Sequence, residues 1–335
     1  MEPPSPLFVL KKAAESITDL HFWCKVPMDG KKRGSDQQSP SHLIAGYTNQ
    51  GGVDIWNLHS RRVESHIPSD HGIISVCGNN NGEIVILNRE GELKLFANSD
   101  DKLKFKGQIY VPNVGFCKAS CLFQNNVILT AVTGEEKSSI SVWNFTEQVS
   151  LWRLTPSENS MLGMVMCTKL FINDSLLLLI GGYENGSVSL WNVKEEVMMC
   201  IIALYDSVPI MCLDFNTATM CGVAGSPTEI VTKFEIRVDD NKKHGIHITK
   251  TRTLPNEGIA DIKIRPDSKI IAAGGWHDGS VRIFSFKTLK PLAILKYHDG
   301  TVQSIAFYHH SDSSKQLLAS GSETHKIAVW KIYND

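Results

Sequence analysis

Apolar residues along this chain fall in short runs that alternate with polar positions, and helical spacing does not appear over any useful length. One compound pattern keeps returning: an apolar run, small residues, a polar turn, then an alternating run that ends on an aromatic. It reads Leu43-Ile44-Ala45-Gly46 to Val53-Asp54-Ile55-Trp56, then Glu83-Ile84-Val85-Ile86 to Leu93-Lys94-Leu95-Phe96, then Val127-Ile128-Leu129-Thr130 to Ile140-Ser141-Val142-Trp143. The clearest copy runs from Leu178-Leu179-Ile180-Gly181-Gly182 to Val188-Ser189-Leu190-Trp191, and three more end at Phe234, Phe284 and Trp330. A separate strand-like run precedes the copies, as at residues 17–22, 208–213, 259–264 and 302–307.

The aromatic endings are 40, 47, 48, 43, 50 and 46 residues apart. Repeats of roughly 40–45 residues with four short strands each form propeller blades, whose stacked sheets share one continuous core. Seven endings therefore predict an all-β, seven-bladed β-propeller, a single domain over residues 1–335. The aromatic meets a physical need, because radially stacked sheets bury both faces and a large flat side chain fills the space between them. The preceding runs become the innermost strands. The last repeat has only three strands, which would leave an exposed edge. Leu7-Phe8-Val9-Leu10 is the candidate to supply the fourth, the outer strand of the last blade.

Composition narrows the function. The chain is 42% hydrophobic and 21% charged with a net charge of −1, so no long-range field draws in nucleic acid or an acidic membrane. The longest aliphatic stretch, Leu176 to Ile180, falls far short of the ~20 residues a membrane-spanning helix needs. Met1-Glu2-Pro3-Pro4-Ser5-Pro6 does not read as a secretory leader. Eight cysteines without CxxC spacing, most inside apolar runs, point to reduced thiols in the cytoplasm or nucleus. Residues 25–41 read as a flexible polar loop in the first blade, with Lys31-Lys32-Arg33 as a short basic cluster suited to nuclear import. The run Asp239 to His244 reads as the outer hairpin turn of blade five.

Several segments carry a family resemblance. Trp56-Asn57, Trp143-Asn144 and Trp191-Asn192 resemble the Trp-Asp ending of WD repeats, and Tyr297-His298-Asp299-Gly300 resembles the Gly-His segment that opens one. Many such repeats join His, Ser, Asp and Trp in a buried relay. Here the last blade keeps His298, Ser320 and Trp330 but offers Thr324 for Asp. Blade six keeps Asp278 but has Gly274 and Phe284. Longer blocks depart from generic repeat sequence: Val114-Gly115-Phe116-Cys117-Lys118, Leu162-Gly163-Met164-Val165-Met166-Cys167, and Gly258 through Ile270 followed by Gly274-Gly275-Trp276. With Leu178 to Trp191 and Pro291 to Leu295, they resemble the G-protein β-subunit-like protein one family, which includes the fungal ASTRA-associated protein 1. That resemblance covers essentially the whole chain. It implies a co-chaperone scaffold acting with the TTT complex and RuvB-like ATPases on phosphatidylinositol-3-kinase-related kinases, in growth and DNA-damage signalling, as a monomer within a larger complex.

Three large aromatics follow the second-strand glycines: Tyr47, Tyr183 and Trp276. Near a propeller rim they would suit a partner-binding hot spot; the competing reading packs them between blades. His244 with His247, and adjacent His309-His310, lack the Cys or carboxylate set of a metal site, and no cofactor is expected. The glycosylation-like triplets at Asn144, Asn173 and Asn185 mean little without secretion. No phosphate loop, nucleophile elbow or paired-carboxylate motif points to an enzyme. Two other readings stand beside the co-chaperone. One is a signalling β-subunit, which carries an N-terminal coiled-coil helix, whereas Pro3, Pro4 and Pro6 oppose a helix here. The other is an adaptor that reads a modified peptide at the channel mouth.

Overall fold

The structure, a computed structural model, describes residues 4–11, 13–23, 41–79, 81–99, 102–112, 115–124, 127–158, 160–241, 243–308 and 316–332. The chain opens with Phe8–Leu10 (β1), then builds sheet one from Ile17–Trp23, His42–Tyr47, Val53–Asn57 and Arg62–Ile67 (β2–β5). Sheet two is Ile73–Gly78, Glu83–Asn88, Glu92–Ser99 and Lys102–Tyr110 (β6–β9); sheet three is Ser120–Gln124, Val127–Thr133, Ile140–Asn144 and Val149–Leu154 (β10–β13). Sheet four is Val165–Asn173, Leu176–Tyr183, Ser187–Asn192 and Val197–Ala203 (β14–β17); sheet five is Cys212–Asn216, Cys221–Gly225, Ile230–Val238 and His244–Thr253 (β18–β21). Sheet six is Ile259–Ile264, Ile270–Gly275, Ser280–Ser285 and Pro291–Lys296 (β22–β25); sheet seven is Val302–Tyr308, Leu317–Ser322 and Ile327–Trp330 (β26–β28), completed by β1. This is an all-β, seven-bladed propeller.

The ring closes as the alternation at the N-terminus predicts. Phe8, Val9 and Leu10 pair antiparallel with Val329, Ala328 and Ile327, and the Leu7 amide donates to the Val329 carbonyl at 2.8 Å. One inner strand differs from its sequence pattern. The expected run at 208–213 begins as a strand only at Cys212, because Pro209 lacks the amide that a ladder needs. The Asp239 to His244 stretch does make the turn between β20 and β21. Almost all of the 25–41 loop lies outside the described residues, as do Lys31-Lys32-Arg33, His309 and His310.

Each of the seven hydrophobic clusters joins two adjacent sheets, so the core is a set of blade-to-blade seams. The repeat-ending aromatics explain this. Trp56 packs into the seam between sheets seven and one, Trp191 into that between three and four, and Trp330 into that between six and seven. Trp143, half-buried, lies against the seam between sheets two and three. In sheets one to six the ladder to the outer strand is bulged immediately before that aromatic, for example between Leu190 and Trp191. The extra residue bends the outer strand and seats the ring against the preceding blade.

Because neighbouring strands run antiparallel, the connections divide between two faces. Second-to-third-strand turns, and links from one sheet's outer strand to the next sheet's inner strand, share one face, called upper here. The remaining turns form the lower face.

Candidate functional site

The aromatics after the second-strand glycines do not form a hot spot as a set. Tyr47 and Tyr183 are both 0% exposed, which corrects the expectation of a partner-binding role for them. Each tyrosine keeps the alternation of its own strand, on the face of Leu43 and Ala45 in β3 and of Leu177 and Leu179 in β15, and so turns into a blade-to-blade seam. The phenols then serve as relay members. Tyr47 donates to Asp54 Oδ2 at 2.9 Å and accepts from Trp56 Nε1 at 3.2 Å, while Asp54 Oδ1 meets His66 Nδ1 at 2.7 Å. Trp191 Nε1 donates to Ser189 Oγ at 2.8 Å and to the Tyr183 hydroxyl at 3.3 Å. Burial pushes both phenols above their ordinary range, with the Asp54 carboxylate adding to the effect at Tyr47. Trp276 differs: it is half-buried between two upper-face links. Its amide donates to the Gly258 carbonyl and its carbonyl accepts from Thr301 Oγ1 at 2.9 Å. Gly258 has φ +86°, and a Cβ there would fall 2.6 Å from the indole, so the site needs glycine.

The WD-type relay survives in part. Trp330 Nε1 donates to Ser320 Oγ at 2.9 Å, and Ser320 Oγ meets His298 Nε2 at 2.8 Å. Thr324 bonds to Ser322 instead, leaving His298 Nδ1 buried without a partner among the described residues. In sheet six Asp278 holds Ser280, Arg282 and, through Oδ2, Asn256 at 2.8 Å, so an amide stands where a relay histidine would. Burial, and then nearby Lys326, push His298 down to about 4. The unfolded chain takes up this proton near pH 6.5, whereas the folded protein resists until about 4. Stability is therefore expected to fall by about 3 kcal/mol as pH drops through that window. Half-buried His21, also shifted down by desolvation, adds in the same direction. Melting temperatures measured across pH 7 to 4 check this, and His298→Gln should flatten the decline.

The inner strands carry a circuit that no sequence period announced. Asp19 accepts from the Val76 amide, Ser75 from Ala119, Ser120 from Leu170, Asp214 from Ile264, Asp261 from Ile305, and Ser304 from Leu20. Each bond reaches from one blade to the next. The remaining step, from sheet four to sheet five, is the Lys169–Asp214 ion pair at 2.9 Å. Lys118 spans further, reaching Asp19 at 2.8 Å and Asp261 at 3.9 Å, and Lys263 meets Asp261 at 3.3 Å. Burial opposes the charge on Lys118 and Lys263, yet the facing carboxylates hold both ammonium groups above their usual range. Burial pushes the nearby Cys117 thiol up to about 12, which disfavours the thiolate. This circuit fixes the ring.

Exposed apolar side chains occur along the outer strands and on both faces, and the three most exposed belong to the upper face. Tyr110, the last residue of β9, is 63% exposed, and Phe116 and Met161, on the links from sheet two to three and from three to four, are 65% and 91% exposed. Sequence reasoning missed them; Phe116 lies in, and Met161 just before, two blocks that depart from the repeat. The platform under them is built. Asn185 Nδ2 donates to the Met161 carbonyl at 3.1 Å, Glu184 Oε2 accepts from the Met164 amide at 3.0 Å, and the Val165 amide reaches Lys137 at 3.0 Å. A cavity lined by Asn256, Gly258, Asp278 and Arg282 has room for about one water. Among the described residues no group of three or more His, Cys, Asp or Glu could hold a metal ion.

The model for the WD domain, G-beta repeat, matches residues 248–285 and 289–331. A guanine nucleotide-binding protein subunit beta-like protein 1 from Mus musculus is 31% identical over 336 residues, covering 99% of this chain and 97% of that protein. ASTRA-associated protein 1 from Schizosaccharomyces pombe is 43% identical over 76 residues, covering 23% of this chain and 19% of that relative. Its counterpart from Schizosaccharomyces japonicus is 36% identical over 98 residues, 27% of this chain and 26% of that relative.

Proposed function

The chain belongs to the family of guanine nucleotide-binding protein subunit beta-like protein 1, and from that membership we propose that it is a non-catalytic scaffold for protein–protein interaction. The observation that carries this reading is a closed, rigid ring presenting Tyr110, Phe116 and Met161 on a loop face. Apolar groups held out in water on a fixed platform suit a partner surface. More narrowly, we propose a co-chaperone acting with the TTT complex and RuvB-like ATPases in the folding and stability of phosphatidylinositol-3-kinase-related kinases, in cytoplasm and nucleus. Similarity to proteins named for association with ASTRA supports that role.

The test is co-purification of the full chain with separately expressed TTT proteins and RuvB-like ATPases, together with kinase levels after depletion. A stable complex and falling kinase abundance are expected. Recovery of a small γ chain and a GTPase would favour a signalling β-subunit, and selective capture of a modified peptide would favour an adaptor.

A further inference from the structure

A formal net charge of −1 conceals an uneven molecule. Among the described residues of the upper-face connections there are thirteen Asp or Glu against five Lys or Arg. The described lower-face connections carry seven acids against seven bases. The upper face is thus strongly acidic, and the three most exposed apolar side chains, Tyr110, Phe116 and Met161, stand on it.

Phe116 and Met161 belong together although 45 positions separate them in the chain. Each directly precedes a buried residue, Cys117 and Leu162, of the same seam between sheets three and four. The two side chains therefore emerge over one interface, with Tyr110 just before the first link. Exposed Glu135, Glu136, Glu158, Glu184 and Asp206 lie on the upper-face connections of the same two sheets, against Lys137.

Resting on the scaffold reading, we propose that this sector docks a basic amphipathic segment of a partner protein. Its apolar stripe would cover Phe116 and Met161, and its flanking Lys or Arg side chains would face the carboxylates. An apolar patch ringed by one sign of charge selects its partner by both terms at once: burial gives affinity, while complementary charge speeds encounter and rejects acidic surfaces. The same field repels phosphate backbones and anionic headgroups, which sets nucleic acid and membranes against this face.

The test uses the full chain and a labelled synthetic peptide alternating Lys with Leu and Phe, followed by fluorescence anisotropy. A charge-reversed peptide and a Lys-Gly peptide serve as comparisons. The basic apolar peptide is expected to bind best, with affinity falling as salt rises. Phe116→Ser with Met161→Ser should weaken it roughly tenfold or more, and Glu136→Lys with Glu158→Lys should weaken it and flatten the salt dependence. Lys287→Glu with Lys290→Glu on the lower face should leave it unchanged. The exposure of Phe116 and Met161 means that their double variant should keep its melting temperature. Equal binding of acidic and basic peptides, undiminished binding by either upper-face variant, an equal loss from the lower-face variant, or tighter binding of RNA or anionic vesicles would each overturn the proposal. Peptide binding that persists while the TTT proteins fail to co-purify would sink the co-chaperone role alone.

Discussion

Removal of residues 1–12 is expected to lower the melting temperature of this propeller by roughly 10 °C or more, and to make it prone to self-association. The deleted strand does three things at once. It contributes the ladder from Phe8, Val9 and Leu10 to β28, together with the Leu7 amide bond to Val329. It buries Leu10, 1% exposed, among Ile17, Tyr308 and Ile327 in the seam that joins the last blade to the first. It also places the Phe8 ring 4.8 Å from the Arg61 guanidinium, on a turn of sheet one. Full burial of a leucine is worth about 1.5–3 kcal/mol. With the ladder, the partly buried Phe8 and the cation–π contact, the total loss reaches about 5 kcal/mol. In a chain of this size each kcal/mol moves Tm by roughly 2 °C. Deletion would leave β28 as an edge whose central residues, Ile327 to Val329, are fully buried in the intact ring, a template for pairing with a second copy. Calorimetry and light scattering read both effects. Leu10→Asp in the full chain should reproduce most of the thermal loss, and a melting curve indifferent to both changes would contradict closure by this strand.

The closing strand was legible because its logic is one of counting: a three-stranded last repeat and an unassigned alternating run at the other end of the chain. The aromatic endings were legible for the same reason, since each marks the seam to the preceding blade. What the sequence concealed lies where period-2 alternation breaks. A bulge such as that between Ile17 and Asp19 adds a residue, so a side chain expected to point outward turns inward. Tyr47 and Tyr183, by contrast, read as rim residues because each follows a strand-ending glycine, although both keep their own strand's alternation into a seam. Asp19, Ser75, Asp261 and Ser304, ordinary polar residues in the text of the chain, follow such a bulge and reach the next blade's backbone, and Ser120 and Asp214 do the same from unbulged strands. Phe116 and Met161 escaped notice for a different reason. They sit in irregular links, where no period tells whether a side chain faces solvent or seam.

Asp19→Ala is expected to destabilise the ring by about 3–5 kcal/mol, the range for removing one partner from a buried charge network. Asp19 is 7% exposed, and its carboxylate serves three blades besides its own. Oδ2 accepts from the Val76 amide of sheet two at 2.9 Å; Oδ1 accepts from Lys118 beside sheet three at 2.8 Å and from Ser304 of sheet seven at 3.1 Å. Truncation strands the buried Val76 amide and leaves the Lys118 ammonium with only the more distant Asp261 carboxylate, and the lost acceptor carries its own desolvation penalty. Asp19→Asn keeps an oxygen for Val76 but puts an amide NH2 where Oδ1 accepted from Lys118 and Ser304, so it should cost less than the alanine while still weakening the circuit. Pairing Asp19→Ala with Lys118→Met removes the stranded cation and should recover part of the loss. Recovery stays incomplete because Val76 and Ser304 still lack their acceptor. Urea unfolding of the four proteins measures this order. If Asp19→Ala proved as stable as the parent, the circuit of inner-strand bonds would be ornament, and the hydrophobic seams alone would hold the seven blades in register.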